Sequence, residues 1–187
     1  MVRTAAVKRP KSLAFHRALP KIAPNLPPKA AVMPDTITLQ LTDPDAAEAL
    51  SLLAAYSRFL TATMPDEAPN PIPLPLPDAA AYRPPTGAIL VACISGQPIA
   101  CVCLHTLSPG LGEVKRLYIA PQARGQGLAR QMMRAIEDRA RTLGMTRLNL
   151  DTNAALTTAI ALYRATGWTD IEPYTGHPAT HWFSKTL

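Results

Sequence analysis

The stretch Glu113 to Ala129, EVKRLYIAPQARGQGLA, constrains this chain more than any other. Its first seven residues alternate polar and apolar side chains and include β-branched and aromatic residues, which is strand chemistry. Ala120-Pro121 ends the strand, because proline has no amide proton and restricts the residue before it. Gln122 to Gly127 form a short loop, and an amphipathic run follows. Two glycines two apart at a helix start let backbone N–H groups converge on one spot. The unpaired amides and positive end of the first helical turn add to them. Such a turn holds a phosphate or pyrophosphate. A P-loop is excluded, because Leu128-Ala129 stand where its lysine and Ser/Thr belong. A dinucleotide turn is excluded because Arg130 replaces its third glycine.

What remains is Gln122-x-x-Gly125-x-Gly127, and about 35 residues on comes Ala159-Ile-Ala-Leu-Tyr163-Arg-Ala-Thr-Gly167-Trp168. With these two motifs in this order the chain resembles the GNAT (GCN5-related N-acetyltransferase) superfamily. Its [Q/R]-x-x-G-x-[G/A] loop binds the pyrophosphate of acetyl-CoA, and its A-x-x-L-Y-x-x-x-G-[F/W] helix carries a tyrosine that protonates the departing thiolate. The resemblance covers roughly residues 36–187 and is specific from Glu113 to Trp168.

The resemblance implies a mixed α/β (α+β) fold: a mostly antiparallel sheet of six to seven strands flanked by helices, with strands four and five parallel and splayed. It implies acetyl-CoA as co-substrate, no metal, and a small primary amine as acceptor, acetylated by direct transfer in a ternary complex. Leu117, Tyr118 and Ile119 would line the pantetheine arm and offer a backbone donor to the developing oxyanion. Gln122, Arg124, Gly125, Gln126, Gly127, Leu128 and Ala129 would hold the phosphates, with Asp151, Thr152 or Asn153 compensating for the family asparagine that Leu156 replaces. Tyr163 is the expected acid, against the alternative of a buried aromatic at a helix–sheet seam. Glu113 is either the general base or a strand-start glutamate paired with Lys115 or Arg116. Pro173-Tyr-Thr-Gly-His-Pro178 resembles an acceptor-side loop of a bacterial subgroup. Tyr174 and His177 are therefore candidate substrate contacts, His177 alternatively a base or simply exposed. A coenzyme A-binding module without catalysis is the competing reading. Pairing of many relatives through their last strands implies a homodimer.

Charge divides the chain. Of 19 Lys and Arg, seven lie in residues 1–34 with no acid, which leaves 12 against 13 acidic residues in 35–187. The 35–187 segment is the expected acyltransferase domain. The 1–34 tail, with six prolines, reads as extended or disordered. It is a dispensable extension (an early start codon included), a salt-sensitive nucleic-acid grip or, least of the three, a transit peptide. No signal peptide or membrane span is evident, and the expected location is the cytoplasm.

Ile37–Leu41 reads as the first strand, then Thr42-Asp43-Pro44 as the cap of a helix running to about Ala62. Proline at every second position in Pro69–Pro77 forbids helix and favours a polyproline strap burying Ile72, Leu74 or Leu76, or an SH3-type ligand. Asp78–Tyr82 would add one helical turn. Residues 88–94 and 99–107 form a hairpin around Ser95–Pro98. Its Cys93, Cys101 and Cys103 read as reduced core residues rather than metal ligands, and His105 as structural. Helix Leu128–Leu143 should bury Met132, Met133 and Ile136, pair Glu137 with Arg141 and Arg134 with Asp138 outside, and stop at Gly144. Strand Met145–Asp151, helix Leu156–Thr166 and strands Trp168–Glu172 and Thr180–Lys185 complete the order.

Overall fold

The computed structural model describes residues 36–66 and 70–187, so the expectations for the 1–34 tail lie outside the described residues. Seven strands form one sheet in the order β1-β2-β3-β4-β5-β7-β6. They are β1 Ile37–Thr42, β2 Gly87–Ile94, β3 Gln97–Ser108, β4 Leu111–Ile119, β5 Arg147–Thr152, β6 Thr169–Asp170 and β7 His181–Thr186. Among the described residues three helices pack on it: α1 Ala47–Thr63, α2 Leu128–Thr142 and α3 Thr157–Ala165. Only β4 and β5 run parallel, through the α2 crossover, while every other neighbouring pair is antiparallel. The expected fold class stands, with seven strands.

The core follows from the apolar runs. All of β2 up to Cys93 is buried, and β3 is buried from Ile99 to Leu104. A strand covered on both faces reads as a continuous hydrophobic run rather than an alternating one. The three cysteines lie here, free and buried. On α2, Leu128, Met132, Met133, Ile136 and Ala140 are buried at helical spacing, as the periodicity predicts. The outer strand β1 keeps Leu39 and Leu41 exposed.

Several local expectations are corrected. α1 starts at Ala47 with Ala46 as an uncapped N-terminus, not at Thr42-Asp43-Pro44. Asp43 instead accepts from the Asp45 amide and from the Arg83 guanidinium, 40 residues away. Its side chain is consumed by a turn and an ion pair and cannot cap. The charge pairs expected on α2 also fail. Asp138 pairs with Arg141 at 2.7 Å, and Glu137 turns inward to Lys185 Nζ at 2.8 Å. Periodicity places Glu137 beside the buried face, and only a distant partner decides that it goes in.

The proline-rich segment does pack as a strap. Leu76 is buried, Ile72 packs against the core and Leu74 is 36% exposed. The Ile72 amide donates to the Ser57 hydroxyl on α1 at 3.2 Å. One 3-10 turn, Ala79–Tyr82, follows.

Candidate active site

The cleft arises where β4 and β5 part. Their register runs only from Leu111↔Arg147 to Glu113↔Asn149. Beyond it β4 stays with β3 as far as Ile119↔Ala100, and β5 stays with β7 as far as Thr152↔His181. A bulge helps the parting. Between the pairs Cys103↔Lys115 and Cys101↔Tyr118, β4 spends one residue more than β3, leaving Arg116 and Leu117 without a register partner. Arg116 takes φ 55°, a backbone state that a non-glycine residue holds only when its surroundings fix it. Its guanidinium hydrogen-bonds the buried Tyr82 hydroxyl and lies 5.0 Å over the Tyr82 ring. The bulge breaks the alternation expected of Glu113–Ile119, which a pattern of residue types does not record.

A cavity of about 870 Å³ opens in this gap. One end is the glycine loop. Gly125 and Gly127 both have φ 76°, and a Cβ built on either meets nothing within 4 Å. The glycines thus serve the backbone conformation and leave the cradle open for a ligand. Gly127 is the N-terminal cap of α2, so Leu128 and Ala129 present first-turn amides there. Arg124 lines the cavity, with its amide donating to Pro121 O at 3.3 Å and its Nε to Ile119 O at 2.9 Å. Its guanidinium stacks 4.9 Å over Phe59. The remaining guanidinium nitrogens, not the amide, are what it has to offer a phosphate. The Gln126 side-chain Nε2 donates to Gln122 O at 3.4 Å, and both glutamines lie outside the cavity lining. The residues present fit a pyrophosphate: open amides, the positive end of α2 and Arg124.

The other end is lined by Tyr163, Asp151, Lys115, Thr175 and His177. Tyr163 is 6% exposed, its ring packed 6.1 Å from Trp168 and 5.8 Å from Phe183. Both readings of it hold: it is a buried seam aromatic, and it borders the cleft. Burial first, then the neighbouring Tyr56 hydroxyl and Asp151 carboxylate, push its phenol well above the ordinary value. No side chain among the described residues hydrogen-bonds its hydroxyl, so its proton is uncommitted.

Glu113 stands behind the cleft rather than in its lining. It is 3% exposed. Oε2 meets His105 Nε2 at 2.7 Å, while Oε1 accepts from Tyr174 Oη at 2.9 Å and lies 3.2 Å from Lys115 Nζ. Burial would raise the carboxyl, but these partners outweigh it and hold it down at about 2. Tyr174 is correspondingly pushed far up, by burial and then by Glu113. Its hydroxyl is thus spent on Glu113. Asn153 lines the cavity but its side chain is tied down, donating to Pro178 O at 2.6 Å and accepting from the Ala155 amide at 2.9 Å. It shapes the turn before α3. Leu117, Tyr118 and Ile119 line the cleft.

Asp151 entered the sequence reading only as one candidate for a cofactor contact, not as a carboxylate on the acceptor side, while Lys115 and Tyr56 on α1 had no role in the cleft. Asp151 is the polar end of the alternating Leu148-Asn-Leu-Asp, and Tyr56 with Phe59 makes an aromatic i,i+3 pair. Those signals were present without a direction.

Among the described residues no helix is long and apolar enough to cross a membrane. A model of the Acetyltransferase (GNAT) family matches residues 52–168. An IAA acetyltransferase from Azospirillum brasilense is 32% identical over 156 residues, covering 81% of this chain and 98% of its own. Two solved structures share the fold. The PaiA N-acetyltransferase of Thermoplasma acidophilum, in complex with coenzyme A, has a TM-score of 0.66 at 14% identity, over 81% of this chain and 99% of its own. A GNAT family acetyltransferase from Elizabethkingia anophelis with acetyl-CoA bound has 0.57 at 16%, over 82% and 99%. By its two motifs, its splayed strands and its relatives, the chain belongs to the GNAT family of acetyltransferases.

Proposed function

We propose that residues 35–187 transfer an acetyl group from acetyl-CoA to the primary amine of a small molecule, directly, within a ternary complex. One observation carries the reading: a single cleft runs from the open glycine cradle to the uncommitted hydroxyl of Tyr163. The co-substrate supplies an activated thioester. Gly125, Gly127, Leu128 and Ala129 hold its phosphates by backbone N–H groups, with Arg124 adding charge. Backbone donors near Leu117, where β5 has parted from β4 and the bulge interrupts pairing with β3, stabilise negative charge developing on the carbonyl oxygen. Tyr163 keeps its proton at neutral pH and gives it to the leaving sulfur. No enzyme nucleophile is needed, because holding both reactants together supplies much of the barrier reduction. Glu113 fits its second reading, as the partner that fixes Lys115, His105 and Tyr174. Tyr174 thereby becomes a support of the acceptor side, with His177 facing the cleft.

The test is calorimetric titration of acetyl-CoA into the wild type and Gly125→Trp. The indole would fill a cradle that no protein atom occupies. Affinity weakened at least about 100-fold, with thermal stability close to wild type, supports the reading. A wild type that ignores acetyl-CoA sinks it, and binding without turnover across an amine panel favours a silent coenzyme A-binding module.

A further inference from the structure

The charged groups differ between the two ends of the cleft, which Arg116 and His177 also line. Arg124 and Arg130 line it by the glycine loop, while the Tyr163 end carries Lys115 and Asp151. Lys115 Nζ lies 3.2 Å from Glu113 and 3.6 Å from Asp151, so one cation serves two carboxylates. Glu113 has His105 and Tyr174 besides. Asp151 has the Thr175 hydroxyl, which donates to Oδ2 at 2.7 Å and is itself fixed by the Trp182 indole N–H at 2.7 Å. Asp151 is therefore held rigidly with unused acceptor capacity on the cavity wall and one unbalanced negative charge. Around it stand Lys115 from β4, Tyr174 and Thr175 from the 173–178 loop, Tyr56 from α1 and Tyr163 from α3. Both Tyr56 and Tyr163 feel its charge. Opposite, α1 and the strap present Tyr56, Phe59, Leu60, Met64 and Ile72 to the same cavity. That wall offers carbon and aromatic faces and no ionised group.

We infer that Asp151 seats the acceptor's ammonium and takes its proton, and that the acceptor is a primary amine with an apolar body and no carboxylate beside the nitrogen. The inference rests on the transfer reading above. A carboxylate next to the amine would face Asp151 with Lys115 already committed. A second remote cation would have to sit against the apolar wall unpaired. In the step itself the ammonium loses one proton to an Asp151 oxygen. The freed lone pair forms the C–N bond as the C–S bond breaks. The sulfur takes the Tyr163 proton, the nitrogen's surplus proton returns to the tyrosine oxygen, and Asp151 releases its proton to water. One amine becomes one amide and one thioester one thiol, with the protein restored.

The experiment uses the full chain. Acetyl-CoA affinity is measured by calorimetry for wild type, Asp151→Asn and Asp151→Glu. Steady-state kcat/KM is then measured from pH 5 to 9 with 2-phenylethylamine, phenylalanine and putrescine. Expected are acetyl-CoA affinities within about threefold of one another and a kcat/KM order of phenylethylamine first by at least about tenfold. Asp151→Asn should lose about 100-fold or more in kcat/KM with phenylethylamine, and Asp151→Glu should recover part of that loss. Asp151→Asn within threefold of wild type, or equal use of phenylalanine, overturns the inference alone, whereas no use of any of the three amines by a wild type that binds acetyl-CoA overturns it and favours the silent coenzyme A-binding module. A wild type that fails to bind acetyl-CoA overturns the transfer reading and this inference together.

Discussion

The Tyr174 hydroxyl donates to Glu113 Oε1 over 2.9 Å, joining positions 61 residues apart. The 173–178 loop is thereby latched to the last residue of β4 still paired with β5. Tyr174→Phe removes the latch while keeping the ring. A hydrogen bond to a buried carboxylate is worth about 1.5–3 kcal/mol, so the variant should unfold at lower denaturant by about that amount. Because the same loop carries Thr175 and His177 to the cleft, KM for the amine should rise while acetyl-CoA affinity stays. Denaturant titration and two-substrate kinetics check both.

Glu113 makes stability depend on acid. Its folded value of about 2 lies below its ordinary 4.5. A depressed carboxyl contributes stability that is full above the ordinary value and lost as pH falls through the folded one. The contribution, about 3 kcal/mol at neutral pH, should fade between about pH 5 and pH 2. Glu113→Gln removes it. Wild type and variant should then differ at pH 7 and converge only as pH falls to about 2, read as denaturant midpoints along the pH series. A constant gap would show that the carboxylate's partners hold it no better than water does.

Tyr163→Phe separates the two readings of that residue. Its ring contacts with Trp168 and Phe183 persist in phenylalanine, and its hydroxyl has no side-chain partner to lose. Stability should stay within about 0.5 kcal/mol of wild type, whereas kcat should fall about 100-fold or more. Equal kcat would leave only the seam.

The order of elements and the glycine loop were legible because they rest on local chemistry: apolar runs, proline stops, glycines before an amphipathic helix. Tyr163 as a candidate acid came from a motif whose spacing survives without structure. What stayed hidden depends on pairs remote in sequence. Asp43 reads as a helix cap until Arg83 is known to reach it. Glu137 reads as a surface residue until Lys185 arrives. Glu113 reads equally as a base or as the partner of Lys115 or Arg116, and His105 and Tyr174 are partners that no local pattern announces. Each side chain's local pattern was ambiguous, and the partner that resolved it lies on another element. The bulge at Arg116 is the same case in backbone form.

Arg116 yields a prediction with a defined sign. At φ 55°, alanine would keep the strained backbone and lose the Tyr82 contacts, whereas glycine would lose those contacts but relieve the strain. Both variants should be less stable than wild type. Arg116→Gly should be the more stable of the two by about 0.5–1 kcal/mol, the reverse of the usual order in a strand. Equilibrium unfolding of the pair decides it.

The Lys185–Glu137 pair links the two helices that the chemistry depends on. Glu137 lies on α2, which carries the phosphate cradle at its start, and is 5% exposed. Lys185 on β7 donates to Glu137 Oε2 and to Thr166 O, each at 2.8 Å, and Thr166 ends α3, which carries Tyr163. Removing one member leaves a buried charge unpaired, so Lys185→Met should cost about 3–5 kcal/mol. Replacing both, Lys185→Met with Glu137→Leu, removes the stranded carboxylate and should return most of that stability, since a buried pair repays its desolvation only in part. Recovered stability need not mean recovered geometry. Without the ammonium bridging α2, β7 and the end of α3, cradle and tyrosine lose a common anchor. The double variant should therefore remain several-fold below wild type in kcat/KM while its unfolding midpoint approaches wild type. If activity returns in step with stability, the pair serves the fold alone and the alignment of cradle and tyrosine is carried by the sheet.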